Sequence, residues 1–136
     1  MRPEKIVLDT NIWVSYFIKA RFDDLVNLIV DNELIVLTSV ELIIELREVL
    51  GRKKFAKYLS LPVERYVDFH RELVKEVRVR PLYTASPDPK DNFLFDLVLQ
   101  KQAGHLVTGD KKLLALKQVK NVDIISLTAF KALLES

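Results

Sequence analysis

The stretch Lys5–Asn11 places an apolar run, residues 6–8, directly before an acidic residue, Asp9. A short apolar run of this kind predicts a strand that is buried on both faces, as in a parallel sheet. Asp9 would then lie at the carboxyl end of that strand, where open parallel sheets form their ligand-binding crevice. Asp9, Thr10 and Asn11 equally suit the capping of a following helix, so this stretch alone leaves a purely structural role open.

The composition excludes several classes of site. The chain has no cysteine and only two histidines, which excludes disulfides, thiolate nucleophiles, cysteine-ligated zinc and a histidine-rich metal site. Carboxylates remain as the metal ligands, and they favour hard cations such as Mg2+ or Mn2+. No apolar run approaches the length of a membrane span, and no signal-peptide core precedes the first strand. We therefore expect a soluble, cytoplasmic protein in which residues 1–136 form one domain.

Strand and helix patterns alternate along the chain. The predicted strands are Lys5–Leu8, Leu34–Leu37, His105–Thr108 and Val122–Ile125, with Val77–Leu82 as a short strand or an extended edge. The predicted helices are Ile12–Ile18, Leu25–Val30, Glu41–Leu50, Pro62–Val77, Asn92–Ala103, Lys111–Leu116 and Ala129–Leu134. We expect His70, inside the fourth helix, to lie at the surface or rim. The alternation predicts an α/β fold with a mainly parallel sheet covered by helices on both sides.

Two of the predicted strands end alike, because Asp9 closes the first and Asp110 follows the one at His105–Thr108. In a parallel sheet both ends lie at the same edge. Asp91 begins the helix that leads into that later strand, so it belongs to this edge too. Glu45 lies about 9 Å along its helix at 1.5 Å per residue, and its side chain is long enough to lean back. Asp96 lies further along its own helix and would need a similar lean.

Carboxylates that converge in this way repel one another. Two unit charges 4 Å apart cost about 4 kcal/mol at an effective dielectric constant of about 20. A divalent cation would convert that repulsion into binding, polarise a phosphate oxygen and orient an in-line attack. An all-carboxylate site of this kind could hydrolyse a phosphodiester without histidine or cysteine.

Four segments of the sequence together resemble the PIN-domain family, in particular its VapC-related branch of toxin components from toxin–antitoxin systems. Each segment is weak by itself, but they occur in the family's order and spacing over most of the chain. They are Leu8–Asn11, Ser39–Leu50, Asp88–Leu94 and Leu106–Lys111.

The resemblance implies a three-layer α/β/α sandwich and a Mg2+- or Mn2+-dependent endoribonuclease. By motif position, the family's catalytic acidic quartet corresponds to Asp9, Glu45, Asp91 and Asp110. Asp9, Asp91 and Asp110 would be metal ligands, with Asp96 a weaker match. Asn11 and Thr108 match polar residues that support the acids. A cognate antitoxin and a homodimer are the implied protein partners, and RNA is the implied substrate.

Basic residues near the acids are candidates for binding RNA phosphates. Lys111 and Lys112 are preferred because they directly follow Asp110. Arg52 and Lys53, with Lys54 and Lys57, follow a helix that is expected to run away from the catalytic edge.

Alternatives from other classes remain. One is a Mg2+-dependent phosphoryl-transfer domain, although a phosphatase of that type needs an acid where Asn11 stands, and a receiver domain needs one after Leu37. Another is a non-catalytic RNA- or protein-binding module on the same fold.

Overall fold

The computed structural model describes residues 4–136, which contain six strands and seven α-helices. The strands are β1 Lys5–Leu8, β2 Ile35–Thr38, β3 Lys75–Glu76, β4 His105–Val107, β5 Gln118–Val119 and β6 Val122–Ile125. The helices are α1 Thr10–Ile18, α2 Phe22–Asp31, α3 Val40–Leu50, α4 Val63–Leu73, α5 Asn92–Gln100, α6 Lys111–Leu114 and α7 Leu127–Glu135. Lys53–Tyr58 and Pro89–Asp91 form short 3-10 helices.

The strands form one sheet in the order β3-β2-β1-β4-β6-β5. All neighbouring strands are parallel except β5 and β6, which are antiparallel. In the centre, Ile6 of β1 pairs with Val36 of β2 on one side and His105 of β4 on the other. This topology confirms the predicted α/β fold with a mainly parallel sheet.

Alternate residues of the central strands pack into two separate cores, one on each face of the sheet. Ile6 and Leu8 of β1 pack with α1, α2 and α4, whereas Val7 packs with α5 and α6. Helix α3 contributes Leu42 to the second core and Leu46 to the first. It also contacts both α1 and α5, which brings it across the edge of the sheet where β1 and β4 end.

The predicted helix Pro62–Val77 is wrong at its C-terminal end. Helix α4 ends at Leu73, and the backbone of Val74 is extended. Lys75 and Glu76 then form β3, which pairs with Leu37 and Thr38 of β2. The helical spacing of apolar residues continues through this segment, but hydrogen bonding to the exposed side of β2 takes precedence over the local pattern. The short strand predicted at Val77–Leu82 is therefore wrong, since residues 77–82 contain no strand. Only the Val77 amide continues the pairing, through a hydrogen bond to the Thr38 carbonyl.

The second difference is β5, which the sequence analysis did not predict. It is two residues long and pairs with β6 through a turn in which Lys120 has a φ of 51°. A strand of two residues shows no periodicity, and lysine is not a residue that marks a positive-φ turn. Neither the strand β5 nor the turn at Lys120 could be recognised from the sequence pattern.

His70 is fully buried, so its predicted surface or rim position is wrong. Its Nε2 lies 2.9 Å from the Thr38 hydroxyl oxygen at the end of β2. Its ring contacts the edge of Trp13, with ring centroids 4.2 Å apart. Burial lowers the pKa of His70 to about 4, so the imidazole is neutral at physiological pH.

Two polar side chains of α5 hold the segment that connects β3 to the 3-10 helix Pro89–Asp91. The buried carboxylate of Asp96 accepts hydrogen bonds from the backbone amides of Leu82 and Tyr83, at 3.0 and 2.8 Å. The Gln100 amide bonds both the N–H and the C=O of Arg80. These contacts replace the ladder hydrogen bonds that a strand would supply.

No helix within residues 4–136 is long and apolar enough to cross a membrane. The expectation that no signal peptide precedes the first strand falls partly on residues 1–3, which lie outside the described residues.

We predict that Asp96→Ala lowers the free energy of unfolding by about 2 kcal/mol, because two partly buried backbone amides lose their hydrogen-bond acceptor. Urea denaturation measures this change. The matched control is Asp68→Ala, at an exposed position of α4, which should change the free energy of unfolding by no more than about 0.5 kcal/mol. Equal effects of the two substitutions would contradict the role of Asp96.

Candidate active site

The centre of the site is the buried carboxylate of Asp9, only 5% of whose surface is exposed. Its Oδ1 accepts a hydrogen bond from the Thr10 backbone amide at 2.7 Å, so Asp9 does cap α1. Its Oδ2 accepts a bond of 2.7 Å from the hydroxyl of Thr108. Asp9 therefore caps α1 and also contributes its carboxylate to the candidate site.

Thr108 connects the two strand ends that carry acids. Its side chain is fully buried just after β4, and its hydroxyl oxygen accepts a bond of 3.0 Å from the Asp110 amide while it donates to Asp9. Asp110 in turn caps α6, since its Oδ1 accepts from the Lys112 amide at 2.8 Å. The ends of β1 and β4 are thus joined through one threonine.

The other two acids approach from helices. Asp91 precedes α5, and its side chain makes no capping bond. Glu45 lies on α3, whose N-terminus is capped by the Ser39 hydroxyl after β2. Thr10 lies near the Glu45 carboxylate and lowers its pKa slightly, although the geometry falls short of a hydrogen bond to the Thr10 hydroxyl. Both helices begin at the edge where the central strands end.

All four acids line one cleft of about 440 Å³. The remaining lining residues are Thr10, Asn11, Val14, Ser15, Ile18, Val49, Arg52 and Phe55. A second cleft of about 560 Å³ shares Glu45, Asp91 and Asp110 with the first, and Arg52 as well. The acids therefore form the common floor of two adjoining clefts.

Asp9, Glu45 and Asp91 have raised pKa values, because they are buried to different degrees and because other acids lie nearby. Burial, followed by the charges of Asp9 and Asp110, raises the pKa of Asp91 from 3.8 to about 6. Burial and then the Asp9 charge raise the pKa of Glu45. Burial also raises the pKa of Asp9, although its hydrogen bonds to Thr108 and Thr10 act in the opposite direction. Perturbed carboxyl groups that share a cleft are typical of functional sites.

The donor set fits a hard divalent cation, because carboxylate oxygens are the ligands that Mg2+ and Mn2+ prefer. In the part of the chain that the structure describes, no three or more acidic or histidine side chains already stand close enough to hold one ion. Mg2+ commonly takes one or two carboxylates and completes its shell with water and substrate phosphates. Asp91 makes no capping bond, so its carboxyl oxygens are not committed to α5.

The structure reverses the expected preference between the two groups of basic residues. Arg52 lines both clefts, because the turn after Gly51 directs the chain back over the site. Lys111 and Lys112, the preferred candidates, are exposed on α6 and line neither cleft, and Lys53 lies outside both.

Of the other predicted site residues, Asn11 lies at the site and Asp96 does not. Asn11 lines the first cleft, and its side-chain amide lies beside Gly109. Asp96 lines neither cleft, since its carboxylate faces the backbone of Leu82 and Tyr83.

Two aromatic residues of the clefts were not among the predicted site residues. Phe55 lines the first cleft and Phe93 lines the second. The available signals were the position of Phe55 inside the basic segment Arg52–Lys57 and the position of Phe93 two residues after Asp91. Both residues also fit the apolar pattern of a hydrophobic core, so the sequence alone does not show that they line a cleft.

A family model of the PIN domain matches residues 5–112, a range that includes all four acids. Because the match covers most of the chain, the protein belongs to the PIN-domain family, and the resemblance seen in the sequence is confirmed. PIN domains are generally nucleases, and PIN nucleases generally use divalent metal ions.

The fold is also similar to a solved structure described as VapBC2 from Rickettsia felis bound to a DNA fragment from their promoter. The TM-score is 0.56 at 15% sequence identity, over 88% of this chain and 96% of that chain. At this identity the similarity concerns the fold alone. A search of curated proteins found no significant match.

The raised pKa of Asp91 has a consequence for stability. A carboxyl group whose pKa is higher in the folded than in the unfolded protein stabilises most below its unfolded pKa, and this contribution is lost as pH rises through the folded value. We therefore expect the Tm of metal-free protein, relative to that of Asp91→Asn, to fall as pH rises from about 4 to about 7. Thermal denaturation in EDTA across this range measures the difference.

The comparison between the two proteins removes other titrations, including that of His70, whose lowered pKa acts in the opposite direction over the same range. Asp68→Asn, at an exposed position, is the control and should differ from the parent by a constant amount. A Tm difference for Asp91→Asn that is also independent of pH would contradict the raised pKa of Asp91.

Proposed function

We propose that the protein is an endoribonuclease that hydrolyses RNA phosphodiester bonds with Mg2+ or Mn2+. The observation that carries the proposal is the cleft in which Asp9, Glu45, Asp91 and Asp110 come together at the carboxyl edge of the sheet. Membership of the PIN-domain family supports nuclease activity and argues against a receiver or phosphatase domain.

In this proposal Asp9, Asp91 and Asp110 hold the metal ion. When bound, the ion supplies charge neutralisation and Lewis-acid polarisation of the phosphate. Thr108 orients the Asp9 carboxylate and fixes its distance from the Asp110 backbone.

Glu45 acts as general base in the proposed reaction. Its carboxylate accepts the proton of the attacking water, and the raised pKa makes it a stronger base than an exposed glutamate. The water oxygen bonds to phosphorus as the bond from phosphorus to the leaving ribose oxygen breaks, and solvent water protonates that oxygen. Val14, Ile18 and Val49 contribute apolar side chains to the lining of the cleft.

We further propose that the protein is the toxin of a toxin–antitoxin pair and acts in the cytoplasm. The support is the fold similarity to a VapBC complex, together with the PIN-domain match. A cognate antitoxin protein is the expected partner, and the homodimer stays a prediction.

A non-catalytic binding module on the same fold is the alternative from another class. The presence of all four acids in one cleft favours the enzyme, and an assay of RNA cleavage decides between the two.

We predict that cleavage of RNA by the purified protein is abolished by EDTA and restored by Mg2+ or Mn2+. Asp9→Asn should lower the rate more than about 100-fold, since even residues that only support metal ligands contribute about 10–100-fold. The substitution preserves the shape of the side chain and an acceptor for the Thr10 amide. Sequencing of the product ends measures the rate and the cleavage position together.

Asp68→Asn serves as the control for cleavage and should retain the full rate, because Asp68 lies on the exposed face of α4. Robust cleavage in EDTA that persists in Asp9→Asn would falsify the proposed mechanism. No cleavage under any metal condition would favour the non-catalytic module.

A further inference from the structure

The two clefts above the acidic floor form one continuous groove. Glu45, Asp91 and Asp110 line both clefts, and so does Arg52. Each cleft, at about 440 and 560 Å³, is within the volume range of small-molecule pockets, about 300–1,000 Å³. A ligand longer than one nucleotide can therefore lie across the acids and extend into both.

One phenylalanine stands in each half of this groove. Phe55 lies in the 3-10 helix Lys53–Tyr58 and packs against the core on the α1 side of the sheet. Phe93 lies in the first turn of α5 and packs against the opposite core. Both side chains are half-buried, so each is held by its own core and still contributes to a cleft wall.

Charge alone does not favour a nucleic acid in this groove. Besides Glu45, Asp91 and Asp110, the second cleft is lined by the acids Glu41, Glu48 and Asp88. The cations that line the two clefts are Arg52, which is shared, and Lys90. A polyanion placed here needs a source of binding that is independent of charge, and stacking of bases on aromatic rings is such a source.

We propose that the groove holds single-stranded RNA with one base on each side of the scissile phosphate stacked on an aromatic ring. One base stacks on Phe55 and the other on Phe93, while the phosphate between them lies over the acids. Arg52 and Lys90 contact the flanking phosphates. This inference rests on the proposed nuclease function and specifies the class of substrate and its path.

The two rings determine the preference for single strands. In a duplex the bases are already stacked and paired, so they are not available to side chains. The Lys54 ammonium group lies over the Phe55 ring, 5.0 Å from the ring centroid. A base that stacks on this face displaces the ammonium group, which then lies beside the nucleotide. A cation beside a stacking ring is suited to a nucleotide, which presents a base and a phosphate together.

Binding is tested in full-length protein that carries Asp9→Asn, so that the RNA is not cleaved. The probe is a fluorescein-labelled, mixed-sequence RNA of about 12 nucleotides, a length chosen to exceed the site size of many single-strand binding modules. Fluorescence anisotropy in Mg2+ at one salt concentration gives the Kd for the single strand and for its duplex.

We expect Phe55→Leu and Phe93→Leu each to weaken single-strand binding about tenfold, in line with the loss of one stacked base. The double variant should lose about 100-fold if the two positions act independently. Phe55→Tyr and Phe93→Tyr keep an aromatic ring and should bind as the parent does. The duplex should bind more weakly than the single strand and should be insensitive to these substitutions.

Phe69→Leu is the matched control, because Phe69 is a half-buried aromatic residue of α4 that lines a different cavity. It should leave binding unchanged, and the Tm of each variant shows whether the fold is retained. Three results overturn the inference: no saturable binding by the Asp9→Asn parent, unchanged binding by a folded Phe55→Leu/Phe93→Leu double variant, or equal losses for Phe69→Leu.

A separate assay distinguishes this inference from the proposed nuclease function. RNA cleavage is measured with protein that retains Asp9 and both phenylalanines. Absence of cleavage contradicts the nuclease function, whereas the anisotropy series alone decides whether the rings hold the bases.

Discussion

The burial of the Asp9 carboxylate is the constraint on which the rest of the site depends. A buried carboxylate is costly unless hydrogen bonds or positive charge compensate it. Here the compensation comes from the Thr10 amide and the Thr108 hydroxyl. In addition, the backbone amide of Asp9 donates a hydrogen bond to the Val107 carbonyl. The same bonds join the ends of β1 and β4 and begin α1. These neutral donors leave the negative charge in place and offset the effect of burial only in part, so the pKa of this carboxyl group stays raised.

That remaining charge makes the site suitable for chemistry. Glu45 and Asp91 are brought against Asp9 by helices whose apolar sides are fixed in the two cores, so the acids cannot separate freely. The packing therefore maintains an electrostatic repulsion that a divalent cation would relieve.

Much of this arrangement could be predicted from the sequence, because it depends on local patterns. Apolar runs that end at Asp9 and before Asp110 predicted parallel strands with acids at one edge, and the parallel order of β2, β1 and β4 confirms that fold. Asp91 was placed at the edge because it stands where a helix begins. Glu45 was expected to reach the edge only through a lean of its long side chain, and its catalytic role depended on the family resemblance. A residue in the middle of a helix gives little local indication that it reaches a distant strand end.

The remaining features depend on contacts between distant segments. Strand β3 forms because β2 offers unpaired backbone groups, and His70 is buried because Thr38 and Trp13 meet it there. The direction of the chain after α3 could not be predicted from the sequence either. The sequence analysis placed Arg52 after a helix that leaves the edge, whereas in the structure Arg52 and Phe55 line the cleft that contains the acids.

The central claim, that the clustered acids bind a divalent cation and are protonated too readily without it, is tested most directly by calorimetry. Mn2+ is titrated into EDTA-stripped protein at about pH 6, near the raised pKa of Asp91, in buffers that differ in ionisation enthalpy. We predict saturable binding that releases protons at this pH, with a release that falls toward zero near pH 8, where the carboxyl groups are already ionised. Absence of saturable binding, or a binding heat at about pH 6 that is the same in every buffer, would contradict the claim.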